Sequence, residues 1–393
     1  MRTDNVEQLT QETERELRSG MRDLCRRYDD AYWATHDEQH DFPWDFYTDI
    51  AKGGWLGIAL PEQYGGGGLG VGAASVLLQE IAESGAGMNG ASAVHLGIFG
   101  LLPLEKHGSA ELKQRFLPRM AAGDLHVSFG VTEPDAGTDT TRISTTATRT
   151  ADGYRISGRK VWITKAQQAE RILLLARTTP RAECSRRTDG LSLFFVEVDR
   201  AHIDIRPIPK MGRNAINTNE LFIDDLEVPA SDLVGEEGRG FQYLLGGLNA
   251  ERILIAHEAI GLGRAALRRA VGYANERVVF DRPIGRNQGI SFPLADALAR
   301  LDAAELVARR AASLYDAGLE CGREANTAKY LAADACFQAA DRAVQTHGGF
   351  GYAKEYHVER YFREARLMRL VPVSQEMVLN YLAEHVLGLP RSY

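Results

Sequence analysis

One carboxylate stands where an apolar residue belongs. In the helix-period segment beginning at Phe241, residues Leu244, Leu248, Glu251, Ile255 and Leu262 follow at steps of four, three, four and seven, which stacks them on one stripe. Burying a carboxylate unpaired is costly, so Glu251 is either held in an ion pair or reserved for chemistry, such as taking a weakly acidic proton in a dry site. Arg252 is not the simple partner, because adjacent helical residues do not face each other. Spacing alone leaves ion pair and base equally open. A second constellation runs from Phe129 to Thr164: FGVTEPDAGTD, a threonine-rich alternating stretch, then GRKVWIT. Strand backbone and the hydroxyls of Thr132, Thr138 and Thr164 offer hydrogen bonds to the edge of a flat, polar-rimmed ring, and Trp162 offers a stacking face. A flavin has that shape, and an ordinary β-sandwich edge has the same spacing.

These groups need elements to hold them. Residues 1–122 are dominated by helix-like segments such as VLLQEIAESG and SAELKQRFLPRMAAG, divided by Gly- and Pro-bearing loops. Residues 123–230 change to short alternating or β-rich runs (YRISGRKVWIT, RILLLART, LSLFFVEV, IDIRPIP, ELFIDDLEV), which predicts a small β-domain. From 231 to 393 helical periodicity returns in Phe241 to Val279, Ile290 to Ala317, Glu324 to Thr346 and Val373 to Leu387, four helices that would pack as a bundle. By pattern alone the fold class is α+β.

With 393 residues, 44% hydrophobic and 25% charged, the chain can bury the cores of two or three globular domains. A net charge of −7 argues against general affinity for nucleic acid or anionic membrane. No apolar run reaches the length of a bilayer span, and the acidic, helix-like N-terminus has neither the apolar core of a secretory signal nor the acid-poor character of a transit peptide, so a cytoplasmic location is expected. Cys25, Cys184, Cys321 and Cys336 are scattered, with no CxxC pair and no His cluster at metal spacing, so free thiols and no metal are expected. GGGGLG at 65–70 follows Pro61 and Tyr64 rather than a strand, and reads as a loop rather than a dinucleotide fingerprint.

At these residues the chain resembles the acyl-CoA dehydrogenase family, whose middle domain carries a Tyr/Phe-x-Val-Thr-Glu-Pro-x-Ala-Gly-Ser/Thr-Asp loop followed by Trp-Ile-Thr. The resemblance continues in order through PEQYGGGGLG at 61–70, KMGRNA at 210–215, GLNAER at 247–252, RVVFDRPIGRNQ at 277–288 and QTHGGFGY at 345–352. It implies an N-terminal helical domain, a middle β-domain and a C-terminal four-helix bundle, with FAD between the last two. It also implies α,β-dehydrogenation of an acyl-CoA to the 2-enoyl-CoA, electron-transfer flavoprotein as acceptor, and a homo-oligomer, expected to be a tetramer.

The family places its catalytic glutamate at one of two positions. One lies in a C-terminal Tyr-Glu-Gly-Thr-Ser motif, where this chain reads Val371-Pro372-Val373-Ser374, so Pro372 replaces the acid. The other, used by the isovaleryl-CoA and long-chain branches, lies in a Leu-x-x-Glu-Arg motif, matched here by Leu248-Asn249-Ala250-Glu251-Arg252. The resemblance therefore assigns Glu251 as base. Pro372 also lacks the backbone N–H with which the family polarises the thioester carbonyl, so Val373, the flavin ribityl hydroxyl or a different substrate pose must compensate.

The cofactor set implied by resemblance is Phe129, Val131, Thr132, Thr138, Trp162, Thr164, Arg277, Phe280, Gln288, Gln345, Gly348, Gly349, Ser374 and Glu376. Of these, Arg277, Phe280 and Gln288 are expected to reach the FAD of a neighbouring subunit, with Asp281 where the family has glycine. Without the resemblance, HGGFG reads as a helix C-terminus. Thr138 falls where the family binds the acyl-thioester arm, and Asn249 and Arg252 where it holds the CoA end. His95, Trp55 and His347 read as packing residues. Acyl carrier protein as carrier, oxygen as acceptor, and a vestigial flavoprotein binding nucleic acid are the alternative readings.

Overall fold

The computed structural model describes residues 9–392. Among them seven helices come first: α1 (Gln11–Cys25), α2 (Asp30–Gln39), α3 (Trp44–Lys52), α4 (Gly70–Ile81), α5 (Gly87–Phe99), α6 (Leu102–His107) and α7 (Ala110–Ala122). Strands β1 (Val127–Gly130), β2 (Thr146–Arg149), β3 (Gly153–Thr164), β4 (Arg171–Arg177), β5 (Leu191–Glu197), β6 (Ile203–Pro207), β7 (Thr218–Pro229) and β8 (Leu233–Val234) follow. The chain then forms α8 (Gly240–Glu276), the small hairpin β9 (Val278–Val279) and β10 (Arg282–Pro283), and helices α9 (Gln288–Asp316), α10 (Gly322–His347), α11 (Val358–Met368) and α12 (Gln375–Tyr381).

β1 to β8 make one sheet in the order β6-β7-β3-β2-β4-β5-β8, with β1 pairing β4. β4 meets β1 and β2 in parallel, and the other neighbours are antiparallel. The run RILLLAR of β4 is buried along its whole length because both faces are covered. Leu173 and Leu175 pack with Phe195 against Phe116 and Leu117 of α7, whereas Ile172 and Leu174 join Phe194 and Val196 in a separate core on the opposite face. The period of two visible in the sequence thus becomes two apolar layers.

The helices at the two ends of the chain share one apolar core. Leu77 and Ile81 of α4 and Val94 of α5 pack with Ile253 and Ile260 of α8, Leu301 of α9 and Ala332 and Ala339 of α10. Small residues set the spacing. A Cβ on Gly261 would stand 2.3 Å from the Gln79 carbonyl oxygen, and one on Gly263 2.7 Å from Leu301, so α8 needs bare backbone there to approach α4 and α9. Three of the four expected C-terminal helices appear within a few residues of their predicted bounds. The fourth is shorter, since α12 ends at Tyr381 and passes into a wider turn over Leu382–Val386. Helix α11 was not anticipated.

Candidate active site

Phe129 is the penultimate residue of β1, paired with Leu173 of β4, and after Gly130 the chain leaves the sheet through the loop that carries Val131, Thr132 and Thr138. The loop is clamped by a buried carboxylate. Glu133 accepts from Lys160 Nζ at 2.9 Å, from the backbone N–H groups of Ser144 at 2.6 Å and Thr145 at 3.0 Å, and from the Ser144 hydroxyl at 2.8 Å. Burial alone would raise its pKa, but Lys160 and these donors outweigh it and bring it to about 2. The Thr132 carbonyl accepts from Val161 N at 2.9 Å, which ties the loop to β3.

Two residues on, β3 breaks register with β7 between Lys160 and Ile163. Trp162 sits in this bulge with φ +65°, and its ring is 58% exposed. Bulges re-aim side chains. Here an indole that an unbroken strand would lay against the sheet is offered to whatever lies outside it. Thr164 closes the strand, half-buried, its carbonyl accepting from Ser128 Oγ at 2.7 Å. Thr132 is also half-buried, whereas Thr138 is exposed.

α8 is linked to this platform through Arg213, which donates to Thr164 Oγ1 and feels the field of Glu258 on α8. Glu251 is half-buried and, among the described residues, has no hydrogen bond and no ion pair. Burial raises its proton affinity more than His95 and Arg252 lower it, and Glu258 adds to the rise. Arg252 turns away to donate from Nη1 to Asn249 Oδ1 at 3.0 Å, so the two expected substrate residues are bonded to each other. Val371, Pro372, Val373 and Ser374 form the half-buried link between α11 and α12. Ser374 caps α12, accepting from Met377 N at 3.4 Å, and Glu376 is exposed in its first turn. Lys329 of α10 is fully buried with Nζ unpartnered. Burial, with Arg252 adding, lowers its pKa to about 8, and the opposing field of Glu376 places α8, α10 and α12 around one polar region.

Three residues given no chemical role in the sequence belong to this region: Glu258, which was passed over, His95, which was read as packing, and Arg213, which was quoted only within KMGRNA. Glu258 lies seven residues after Glu251 on the same stripe, fully buried, and its Oε1 is 2.7 Å from Nδ1 of buried His95 on α5. Burial works against charge on His95, but Glu258 outweighs it and raises the imidazole pKa, with Glu251 contributing. His95 Nε2 and Glu258 Oε2 are buried without partners. Arg213, from the loop between β6 and β7, donates to Thr164 Oγ1 at 3.3 Å and Thr218 Oγ1 at 3.2 Å. Continuing the spacing from Glu251 would have exposed Glu258. No local signal gives His95 or Arg213 this role, because their partners lie far away in the chain.

A second cluster lies at the other end of α8. Arg277, Phe280, Gln288, Gln345, Gly348 and Gly349 are all exposed, and the Arg277 guanidinium rests 5.8 Å from the Phe350 ring centroid. Phe280 is 93% exposed, and neither Gly348 nor Gly349 has any atom near the place a Cβ would occupy. Of this cluster Arg277, Gly348 and Gly349 line an open groove of about 500 Å³, with Tyr273, Val279, Ile284, Thr346, His347 and Phe350; Phe280, Gln288 and Gln345 lie outside its lining. Along α8 the distance from Glu251 to Glu276 is about 38 Å at about 1.5 Å rise per residue. The structure therefore separates the expected cofactor residues into two groups within one chain.

The arrangement fits a flavin dinucleotide: an exposed indole over hydroxyl-lined strand ends, unpartnered polar atoms at the same place, and an arginine beside bare glycine backbone elsewhere. Comparison with known proteins decides the lineage. The N-terminal, middle and C-terminal domains of acyl-CoA dehydrogenase match residues 11–124, 128–226 and 238–387. The chain belongs to the acyl-CoA dehydrogenase family. An acyl-CoA dehydrogenase of Mycobacterium bovis is 38% identical over 387 residues, covering 98% of each chain. Among solved structures, glutaryl-coenzyme A dehydrogenase in complex with glutaryl-CoA aligns with a TM-score of 0.92 at 30% identity, covering 100% of this chain and 98% of that one. Butyryl-CoA dehydrogenase from Megasphaera elsdenii aligns at 0.91 and 29%, covering 98% and 100%. The helix, sheet, helix order expected from the resemblance is the acyl-CoA dehydrogenase fold. No helix among the described residues is long and apolar enough to cross a membrane.

Proposed function

We propose that this chain is an FAD-dependent acyl-CoA dehydrogenase in which Glu251 removes the α-proton of the acyl thioester. The observation that carries the assignment is an unpartnered Glu251 whose proton affinity is raised by burial, in a chain with Pro372 at the family's other acid position. A base of this kind binds its proton more tightly than a solvated carboxylate, and no ion pair has to break before it acts. Bound FAD supplies the hydride acceptor for the β-carbon. Trp162 stacks on its ring, and the Thr132 and Thr164 hydroxyls, with Phe129 and Val131, line its edge. Asn249 and Arg252 hold the CoA end of the substrate, and Thr138 the acyl-thioester arm.

Val373 N–H has no hydrogen-bond partner among the described residues, which supports it as the donor to the thioester carbonyl in place of Pro372. A base on α8 supports the isovaleryl-CoA-like branch. Arg277, Phe280, Gln288, Gln345, Gly348 and Gly349 serve the FAD of a neighbouring subunit in a tetramer, because about 38 Å of α8 lies between them and their own Glu251. Ser374 and Glu376 complete the cofactor contacts from the start of α12, and electron-transfer flavoprotein reoxidises the enzyme. The test is anaerobic titration of the FAD-loaded protein with straight and branched acyl-CoAs. At least one thioester is expected to bleach the flavin absorbance, and a panel in which none does so refutes the assignment.

A further inference from the structure

Arg213 is a cation without an anion. Its side chain has no carboxylate within ion-pair distance among the described residues, and its Nε is buried with no partner. Its other nitrogens are held by three hydroxyls from three elements: Ser92 Oγ of α5 at 3.5 Å, Thr164 Oγ1 of β3 at 3.3 Å and Thr218 Oγ1 of β7 at 3.2 Å. The backbone of Arg213 is left-handed, φ +58°, a conformation unfavourable for a residue with a Cβ. Lys210 Nζ donates to its carbonyl at 2.7 Å and helps hold that turn. Sequence alone marks the segment only as part of KMGRNA. The nearest fields of opposite sign come from Glu258 and Glu364, while burial works against the charge.

A hydroxyl that accepts from a guanidinium still has its own hydrogen to give, and it gives it more strongly because the cation polarises the O–H bond. Thr164 is in that position. We propose that Arg213 is a positioning residue for the flavin: it fixes the Thr164 hydroxyl as a donor to the bound ring and sets a positive charge behind it that favours reduction. The inference rests on the reading above, that Thr164 lines the flavin edge. The electrons concerned are those of the reaction itself. Bound flavin would supply the hydride acceptor there, and the half-buried Arg213 would stand where its positive charge favours the negative charge that reduction adds. A guanidinium acting only as a strut among three hydroxyls would leave the flavin's electron affinity untouched.

The measurement is the flavin midpoint potential of FAD-loaded wild type, Arg213→Gln, Arg213→Met, Arg213→Lys and Thr164→Val, by spectroelectrochemical titration at constant pH. Both neutral variants are expected to lower the equilibrium constant for two-electron reduction at least about tenfold, a fall of about 30 mV, with Lys recovering most of the loss. Two neutral replacements of different shape keep the test open where one fails to retain flavin. A Lys variant that falls as far as Gln overturns the proposal, since charge is then not the cause. If the Arg213 variants keep the wild-type potential while Thr164→Val alters the flavin spectrum or potential, the proposal fails and the placement of Thr164 survives. If neither position affects the flavin, both readings fall together.

Discussion

Replacing Glu251 with glutamine separates catalysis from folding. The side chain has no hydrogen bond to lose, and its shape is kept, so the variant should fold and load FAD like the wild type. Its stability should equal or exceed that of the wild type, because the amide needs no charge in a site where burial and Glu258 disfavour one. The sign follows from linkage. A carboxyl whose folded pKa is raised contributes stability below its unfolded value, near 4.5, and loses it as pH rises through the folded pKa. The advantage of the glutamine variant should therefore be absent near pH 4 and grow toward neutrality. Chemistry should move the other way. A positioned general base contributes about 10²- to 10⁴-fold, which is about 2.7 to 5.4 kcal/mol of barrier, and flavin reduction should slow by at least that much. Anaerobic stopped-flow at 450 nm reads the rate, and urea unfolding at several pH values reads the stability. Reduction at the wild-type rate with the same thioester would remove Glu251 from the reaction. A variant that unfolds more readily at neutral pH would show that the carboxylate is held by an ion pair after all.

Arg277→Ala and Glu251→Gln should each inactivate the enzyme, yet co-refolded mixtures should regain activity, since a mixed pair contains one site with wild-type Glu251 and the neighbour's wild-type Arg277; no recovery would place Arg277 in its own subunit's site. Trp162→Ala should leave urea stability within about 0.5 kcal/mol, as its indole is exposed, but weaken FAD retention about 2- to 13-fold through about 0.5 to 1.5 kcal/mol of lost stacking, measured by flavin fluorescence. Glu133→Gln should cost about 3 to 5 kcal/mol by leaving buried Lys160 unpaired, visible as a fall of about 4 to 6 °C in Tm. The Glu133 contribution is present above its ordinary pKa near 4.5 and lost as pH falls toward 2, so the two proteins should converge in acid.

Long elements with a regular apolar period were legible in the sequence. β4, α8, α9 and α10 all appear where RILLLAR and the helical stripes place them. Helix α11 was missed although buried Val358, Tyr361, Ala365 and Met368 recur at steps of three, four and three, because the segment is short and charged residues stand among them. Arg360 and Glu364 are buried and bonded across the core to the carbonyls of Gly85 and Ala86 and to Met88 N and Asn89 Nδ2, partners hundreds of residues away. Glu251 was legible as a charge among Leu244, Leu248, Ile255 and Leu262 on a stripe that also carries Glu258. Pairing His95 with Glu258 and seating Arg213 on Thr164 required the tertiary fold, since α5, α8, β3 and the β6–β7 loop meet only there.

The 37-residue α8 carries Glu251 near one end and delivers Arg277 just past the other. When those two groups serve different reaction centres, the helix is a measuring rod, and the number of its turns sets the gap between neighbouring centres in the assembled enzyme. Adding or deleting residues in that stretch would leave each subunit able to build its own sheet, yet would swing every later side chain by about 100° per residue and misalign the clamp offered next door. On that reading insertions would be tolerated in the connecting loops but not within the helix between the two groups.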